Sequence, residues 1–412
     1  MTTRPIRVTW QIHQLGTETA FEVLARAKRL EAQGRSVLHL EIGEPDFPTP
    51  PHIVAAGVRA LQEGATKYAP AAGLPDLRDA IAQSMRDRGV PAQAENVVVT
   101  SGAKPMLYYA LSALIEPGDE VLIPDPGFPI YESVVRWASG RPVGYSVDPA
   151  REGAVDVDEI ARRISQKTSV LVLNSPHNPT GAVLDRGTLA SLAELVDQND
   201  LAVISDEIYS QLLFDGQHCS IASLPGLFDR TVVIDGFSKA YAMAGWRLGY
   251  GVLPISMVRH VERFIINTTS CAPPFVQRAG LAALTGPQAC VHEMREEYRV
   301  RRDLLVHRLN ELEGVSCAAP RGAFYAFPKI SGALERKALT AGQFTETLLD
   351  EFGLACLPGS AFGAGGADHI RLSFATSRPM LERAVDVLSE AVKADSEATM
   401  ARGAQARGKA TV

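Results

Sequence analysis

The sequence predicts an α/β protein: a large domain with a mainly parallel sheet flanked by helices, plus a smaller α+β domain from both chain ends. Three observations lead there. Short continuous apolar runs such as NVVVT (96–100) and TSVLVLN (168–174) alternate with helical stretches, as expected for strands buried on both faces and joined by crossover helices. After about residue 285 the texture shifts to a long charged helix and short strands. Between the two chain ends, EIGEPDFPTPP (41–51) has the proline-rich character of a crossing between domains.

The elements follow in order. PDLRDAIAQSM (75–85) is read as a helix because Leu77, Ile81 and Met85 stack at i+4. NVVVT is a strand, and a helix runs from Lys104 to Ile115. EVLIP (120–124) and TSVLVLN are strands, DRGTLASLAELVDQ (185–198) is a helix, and LAVIS (201–205) and TVVID (231–235) are strands. QACVHEMREEYRVRRDLLVHRLNEL (288–312) is the long charged helix, followed by strands in FYAFP (324–328) and IRLSF (370–374) and by two more helices. The expected division is residues 1–47 joining the small domain, 48–285 forming the large domain, 286–394 the small C-terminal domain, and 395–412 a polar tail.

Composition narrows the function. The 412 residues are 46% hydrophobic and 21% charged, which is ordinary globular composition with enough chain for two domains. A formal net charge of −6 argues against nucleic acid or an anionic membrane as partner. No apolar run approaches the ~18 residues of a membrane span. MTTRPIRVTWQIHQ has no apolar signal core, and the five cysteines (219, 271, 290, 317, 356) form no C-x-x-C pair; a cytoplasmic location with reduced thiols is expected. The histidines are dispersed with no H-E-x-x-H, so no metal is expected.

In open α/β sheets ligands bind beyond the carboxyl ends of the strands. After NVVVT comes SGAKP (101–105), where small Gly102 and Ala103 and Pro105 in a first helical turn suit either an anion seat on free N–H groups or a plain strand–helix turn. After TSVLVLN comes the turn-rich SPHNPTG (175–181), in form a loop. After LAVIS comes DEIY (206–209): Asp206 could hold a ring nitrogen protonated and Tyr209 could steady an oxygen, or they are a helix N-cap and a packing ring. After TVVID comes GFSKAYAMAGWR (236–247). Lys239 there could form an imine with an aldehyde, and Arg247 could bind a phosphate. The alternative is a snorkelling surface pair. The small and apolar residues around Lys239 favour a desolvated amine of lowered pKa. An amine, an aspartate, a tyrosine, an asparagine, a phosphate seat and an arginine at successive strand ends together match pyridoxal 5′-phosphate.

At this point the sequence resembles the class I/II aminotransferases of PLP fold type I, near the bacterial aspartate aminotransferase subgroup. The resemblance spans about residues 12–393. It is carried by LEIGEPDFPTP (40–50), TKYAPAAGLPDLR (66–78), TSGAK (100–104), LNSPHNPTGAV (173–183), SDEIYSQLLFDG (205–216), FSKAYAMAGWRLGY (237–250), GAFYAF (322–327) and IRLSFATS (370–377). It implies that Lys239 is the Schiff-base lysine and proton shuttle, that Asp206 pairs with the ring nitrogen, and that Tyr209 and Asn178 bind the phenolic oxygen. It implies a phosphate seat of Gly102, Ala103 and Lys104 backbone N–H groups with Ser238 and Arg247, and Phe128 stacked on the ring. Tyr68 would reach the phosphate of a neighbouring subunit, which implies a homodimer. Arg371, helped by the Gly43 backbone, would clamp the substrate α-carboxylate. The implied activity is ping-pong transfer of an amino group from an L-amino acid to a 2-oxo acid. β-Lyases and amino-acid oxidases on the same scaffold share these residues and stay open as alternatives. A non-enzymatic regulator of this fold would carry a basic DNA-binding module before it, which the acidic chain does not suggest.

The side-chain pocket is ambiguous. Lys104 lies where aspartate-type members bind the distal carboxylate, or else it contributes only its backbone and faces solvent. INTTSCAPPF (266–275) lacks the basic residue that some aspartate enzymes supply from a partner. Glu18 would repel an acidic substrate and favour a cationic or neutral one, or else it is an exposed first-turn glutamate. NSPHNP and LLFDGQH are also similar to segments of arginine–pyruvate transaminases. An aspartate-like, basic or neutral donor is therefore expected.

Overall fold

A computed structural model describes residues 6–151 and 153–394. The expected tail, 395–412, lies outside the described residues. The chain opens with helix Thr19–Ala32 and strand β1 (Leu38–His39). The central sheet then uses β2 (Val97–Thr100), β3 (Glu120–Asp125), β4 (Arg141–Asp148), β5 (Ala154–Val155), β6 (Thr168–Asn174), β7 (Ala202–Asp206), β8 (Thr231–Gly236) and β9 (Gly249–Val252). Their spatial order is β2-β9-β8-β7-β6-β3-β4-β5. β4, β3, β6, β7 and β8 run parallel, β9 runs against its neighbours β2 and β8, and β5 runs against β4.

The apolar runs make strands because both of their faces are covered. Val98, Ile123, Val170, Val172, Ile204, Val232 and Ile234 feed one buried cluster, with Met106 and Leu111 of helix Ala103–Leu114. Their alternating neighbours feed the opposite side: Leu122, Leu171, Leu173 and Val203 pack with Leu189, Leu192 and Val196 of helix Arg186–Gln198, and Val97, Val99 and Val233 pack with Leu77 and Ile81 of helix Pro75–Asp87. Successive residues point to opposite faces, so a strand covered on both sides is apolar throughout.

Beyond helices Ile255–Thr268, Pro274–Thr285 and Ala289–Asn310 lie β10 (Tyr325–Ala326), β11 (Leu354–Ala355), β12 (Leu357–Pro358) and β13 (Ile370–Ser373). β10, β13 and β12 form an antiparallel three-stranded sheet, and β1 pairs in parallel with β11. Three further helices complete this part, Ser331–Lys337, Ala341–Phe352 and Arg378–Lys393, one more than the sequence reading. Leu38 and Leu40 are buried with Phe324, Phe344, Leu354 and Phe374, and the Ser373 N–H donates to the Leu40 carbonyl at 2.8 Å. The N-terminal segment and the C-terminal part of the chain therefore meet just before EIGEP (41–45).

Register sets the functional edge. Asn174 at the end of β6 is level with Asp206 at the end of β7, and Asp206 is level with Ile234 near the end of β8. β9 returns antiparallel from that edge, with Gly249 level with both Gly236 and Thr100. A Cβ at Gly249 would lie 2.3 Å from the Ala103 nitrogen, so only glycine lets β9 pass this close to the turn after β2.

Candidate active site

At that edge a cavity of about 470 Å³ opens. It is lined by Gly43, Ala103, Lys104, Phe128, Asn178, Asp206, Tyr209, Ser238, Lys239, Arg247, Arg371 and Glu18, among others. The structure thus brings together nearly every site residue expected from the sequence. Gly102 adjoins the cavity through Arg247. Tyr68 does not line it: its side chain is 88% exposed on this chain.

Lys239 lies in the turn after β8, where no helix forms. Its Nζ donates to the Gly43 carbonyl and lies 5.8 Å from the Tyr209 ring centroid and 5.6 Å from that of Phe324. Burial lowers its pKa to about 8; nearby Glu44 opposes the shift, and Arg371, Lys104 and Arg247 reinforce it. A neutral amine is therefore accessible near neutral pH.

Asp206 ends β7 and is followed by turns, so it caps no helix. It is buried, and Tyr131 donates its hydroxyl to Oδ2 at 2.8 Å. Burial raises its pKa to about 6; the hydrogen bonds from Tyr131 and the Ile208 N–H pull the other way, while Asp235 and Glu207 add to the rise. A buried carboxylate held in this way stabilises a cationic partner.

Tyr209 is buried with its hydroxyl 2.6 Å from that of Tyr325, and burial raises its pKa well above the usual phenol value. Asn178 is positioned from behind: its N–H donates to Asn174 Oδ1 at 2.8 Å, while Asn174 Nδ2 donates to the Asp206 carbonyl at 3.0 Å. Arg371 on β13 enters from the opposite side. It donates from Nη1 to Asn178 Oδ1 at 3.0 Å and from Nη2 to the Glu41 carbonyl at 2.6 Å, and its guanidinium lies 4.4 Å from the Tyr325 ring centroid. Its Nε is buried without a partner. Burial lowers its pKa, yet a guanidinium stays charged across the ordinary pH range.

The anion seat is built from β2 and the turn before β9. Gly102 precedes helix Ala103–Leu114 with φ of +98°, and a Cβ there would lie 2.4 Å from Arg247 Nη2. Arg247 adopts φ of +56° and donates from Nη1 to the Ala244 carbonyl at 2.9 Å. Ser238 is buried and lines the same cavity. A helix N-terminus, a hydroxyl and a guanidinium converging behind a residue with no side chain form a cradle for a phosphate.

At the mouth, Lys104 donates to Glu18. Glu18 is the residue before helix Thr19–Ala32, with a side chain only 17% exposed, so it is not the exposed first-turn glutamate considered above. Phe128 stands edge-on to Tyr131 with centroids 5.6 Å apart.

Tyr131, Tyr325 and Asn174 were not singled out from the sequence. Asn174 lies inside LNSPHNPTGAV and Tyr325 inside GAFYAF, so the quoted segments contain two of the three; Tyr131 lies three residues after Phe128.

A family model described as "Aminotransferase class I and II" matches residues 35–388. The chain belongs to this family. Aminotransferases of this class depend on pyridoxal phosphate. The chain is 40% identical over 364 residues to the aspartate aminotransferase of Pyrococcus abyssi, covering 87% of this chain and 92% of that one. It is also 40% identical over 376 residues to the arginine–pyruvate transaminase of Pseudomonas aeruginosa, covering 91% and 92%. Among solved structures, the aromatic aminotransferase of Pyrococcus horikoshii superposes with a TM-score of 0.84 at 41% identity, covering 89% and 98%. The enzyme is an amino-acid aminotransferase, and these relatives do not favour a β-lyase or an oxidase. No helix among the described residues is long and apolar enough to cross a membrane.

Proposed function

We propose that pyridoxal 5′-phosphate occupies this cavity, bound covalently through Lys239, and that the enzyme transfers amino groups between L-amino acids and 2-oxo acids by a ping-pong route. The observation that carries the reading is the convergence of a desolvated amine, a buried carboxylate and an arginine-backed anion cradle in one cavity. The residues fit the group. The Gly102, Ala103 and Lys104 backbone, Ser238 and Arg247 would hold the phosphate; Asp206, fixed by Tyr131, would face the ring nitrogen. Tyr209 and the Asn178 amide would bind the phenolic oxygen, and Phe128 would cover the ring.

When bound, the group supplies an electron sink for the charge that develops at the substrate Cα. The chain supplies position and proton transfer. Arg371 binds the α-carboxylate, with the Gly43 backbone beside it, and so fixes which Cα bond faces the ring. Released when the donor's amine takes its place, Lys239, with its pKa lowered to about 8, would take the Cα proton and return it across the amine nitrogen to the cofactor's aldehyde carbon, two bonds away. The apolar walls exclude water while that proton is in transit. Donor and acceptor share Arg371, so they bind in alternation.

We further propose the two-domain division at residues 48–285 and 1–47 with 286–394, supported by the β1–β11 pairing. The exposed Tyr68 supports a homodimer in which it reaches the partner's phosphate. Borohydride treatment of the holoenzyme and peptide mapping tests the assignment: the cofactor's mass is expected on the peptide carrying Lys239. Label elsewhere, or none, overturns it.

A further inference from the structure

We infer that the Glu18–Lys104 ion pair closes the side-chain end of the cavity as a self-neutralised gate, and that the preferred amino donor carries an uncharged apolar or aromatic side chain. The inference rests on the proposed reading of the cavity as a site for pyridoxal phosphate and an amino acid.

The argument is a charge inventory. The cations lining the cavity are Lys104, Lys239, Arg247 and Arg371, and the anions are Glu18, Glu44 and Asp206. Arg371 faces the α-carboxylate, Arg247 the phosphate, Asp206 the ring nitrogen, and Lys239 is the reacting amine. Glu44 is exposed. Among the described residues of this chain that line the cavity, Lys104 is the one cation left for a second substrate carboxylate, and it is held by Glu18.

A dicarboxylic donor would have to take Lys104 from Glu18 and would leave Glu18, only 17% exposed, unpaired beside a second carboxylate. A cationic donor would have to take Glu18 from Lys104 and would leave two cations adjacent. Either exchange breaks one pair and adds a like-charge contact at a half-exposed place, where water screens the charges only in part. An uncharged side chain leaves the pair intact. It also meets carbon, because Ala20, Phe21, Ile42, Leu107 and Phe128 line the same cavity. The Lys104 ammonium is further held by the rings of Phe128 and Phe21, 5.6 and 5.9 Å from their centroids. The pair joins segments 86 residues apart, the N-terminal stretch and the first turn of helix Ala103–Leu114.

The two partners are not equivalent. Lys104 is 44% exposed and can reorient, whereas Glu18 is more enclosed. Removing the Glu18 charge therefore frees Lys104 for a substrate carboxylate.

The test is the half-reaction of purified holoenzyme with leucine, phenylalanine, aspartate and arginine, followed by the cofactor absorbance. In the wild type, kcat/KM for leucine or phenylalanine is expected to exceed that for aspartate and for arginine by about tenfold or more, which corresponds to roughly 1.4 kcal/mol. Glu18→Gln is expected to raise the aspartate-to-phenylalanine ratio by about tenfold. Adding Lys104→Met to Glu18→Gln is expected to abolish that gain, which separates a freed ammonium from a merely loosened mouth. A wild type that prefers aspartate or arginine, or a Glu18→Gln ratio within twofold of wild type, overturns the gate and leaves the aminotransferase standing. A holoenzyme that converts no donor and carries no borohydride label at Lys239 overturns the cavity reading on which the gate depends.

Discussion

The floor and the mouth of the cavity hold their side chains differently. On the floor, Asp206, Tyr209, Asn178 and Arg371 are each buried and each hydrogen-bonded to a neighbour before any ligand arrives. Beneath them lies a second layer. Arg88 donates to Asp235 at 2.8 Å and to Glu207, the Ser220 hydroxyl donates to Glu207 at 2.6 Å, and the Ser210 hydroxyl donates to Asp235 at 3.0 Å. His218 Nε2 lies 3.2 Å from the Ser175 carbonyl, on the turn that carries Asn178. With Arg88 Nη2 3.4 Å from His218 Nδ1, this network ties the turns after β6 and β7 to the end of β8. The mouth has one ion pair between two partly exposed side chains, beside Phe21, which is 58% exposed. The floor is preorganised for one chemistry, which electrostatic catalysis requires. The mouth pair is bonded within itself and reaches the floor through charge, Lys104 toward Lys239 and Glu18 toward Arg371; the named relatives, which act on aspartate, arginine and aromatic substrates, share the family.

The strongest way to break this contrast is to remove Lys239, the amine proposed to react. Lys239→Ala is expected to cut the rate of the half-reaction by at least about 10²–10⁴-fold, the range for a positioned acid–base group, and more if the covalent link also fails. Stopped-flow absorbance measures it, and turnover near wild type would contradict the assigned role.

Arg88→Met separates floor from mouth by stability. It leaves Glu207 and Asp235 buried without their cation, and breaking a buried pair in this way costs about 3–5 kcal/mol. Glu18→Gln, at a partly exposed pair, is expected to cost less than about 1 kcal/mol. Urea melts of both variants check the difference; equal losses would mean that the floor is no more locked than the mouth.

Arg371→Leu is expected to lower kcat/KM for donor and acceptor alike by about 2–5 kcal/mol, at least roughly thirtyfold, because it leaves carboxylates unpaired in a buried place. Borohydride labelling of Lys239 should persist. Loss for donors alone would indicate that the two substrates do not share this arginine.

Much of the floor was readable in the chain because its residues follow recognisable strands. β6 occupies the expected 168–174, and Asp206 and Lys239 each follow a run of apolar residues. β9 carries no such signal: GYGV is four residues with two glycines, and its place is set by close approach to Ala103. β4 is also obscured, since RPVGYSVD is half-exposed and only β5 lies beyond it in the sheet. Tyr131 and Tyr325 act through other side chains, and nothing local marks a tyrosine as a hydrogen-bond donor to a carboxylate 75 residues away. The Glu18–Lys104 pair is the extreme case. Each residue was suspected separately of facing the substrate, but their mutual contact follows from tertiary placement of the N-terminal segment, which no periodicity encodes.

A last effect, confined to one pH range, sharpens the contrast by removing the cofactor. In the empty chain Asp206 has a pKa of about 6 against an ordinary 3.8, a difference worth roughly 3 kcal/mol at full ionisation. Because the folded-state value is raised, the folded chain holds this proton to higher pH than the unfolded chain does. The group's contribution to stability is therefore fully present below about pH 4 and is lost as pH rises through about 6. An asparagine can still accept the Tyr131 hydrogen bond and never ionises. Cofactor-free Asp206→Asn is thus expected to be more stable than cofactor-free wild type at pH 8, by up to about 3 kcal/mol. The gap should close toward pH 4. Cofactor should reverse the order: a cationic ring nitrogen stabilises the Asp206 charge, so the holo wild type should gain more from the cofactor than the variant and release it more slowly. Urea denaturation at the two pH values, with and without pyridoxal phosphate, reads both effects. A gap independent of pH would show that the Asp206 charge carries no penalty in the cofactor-free protein.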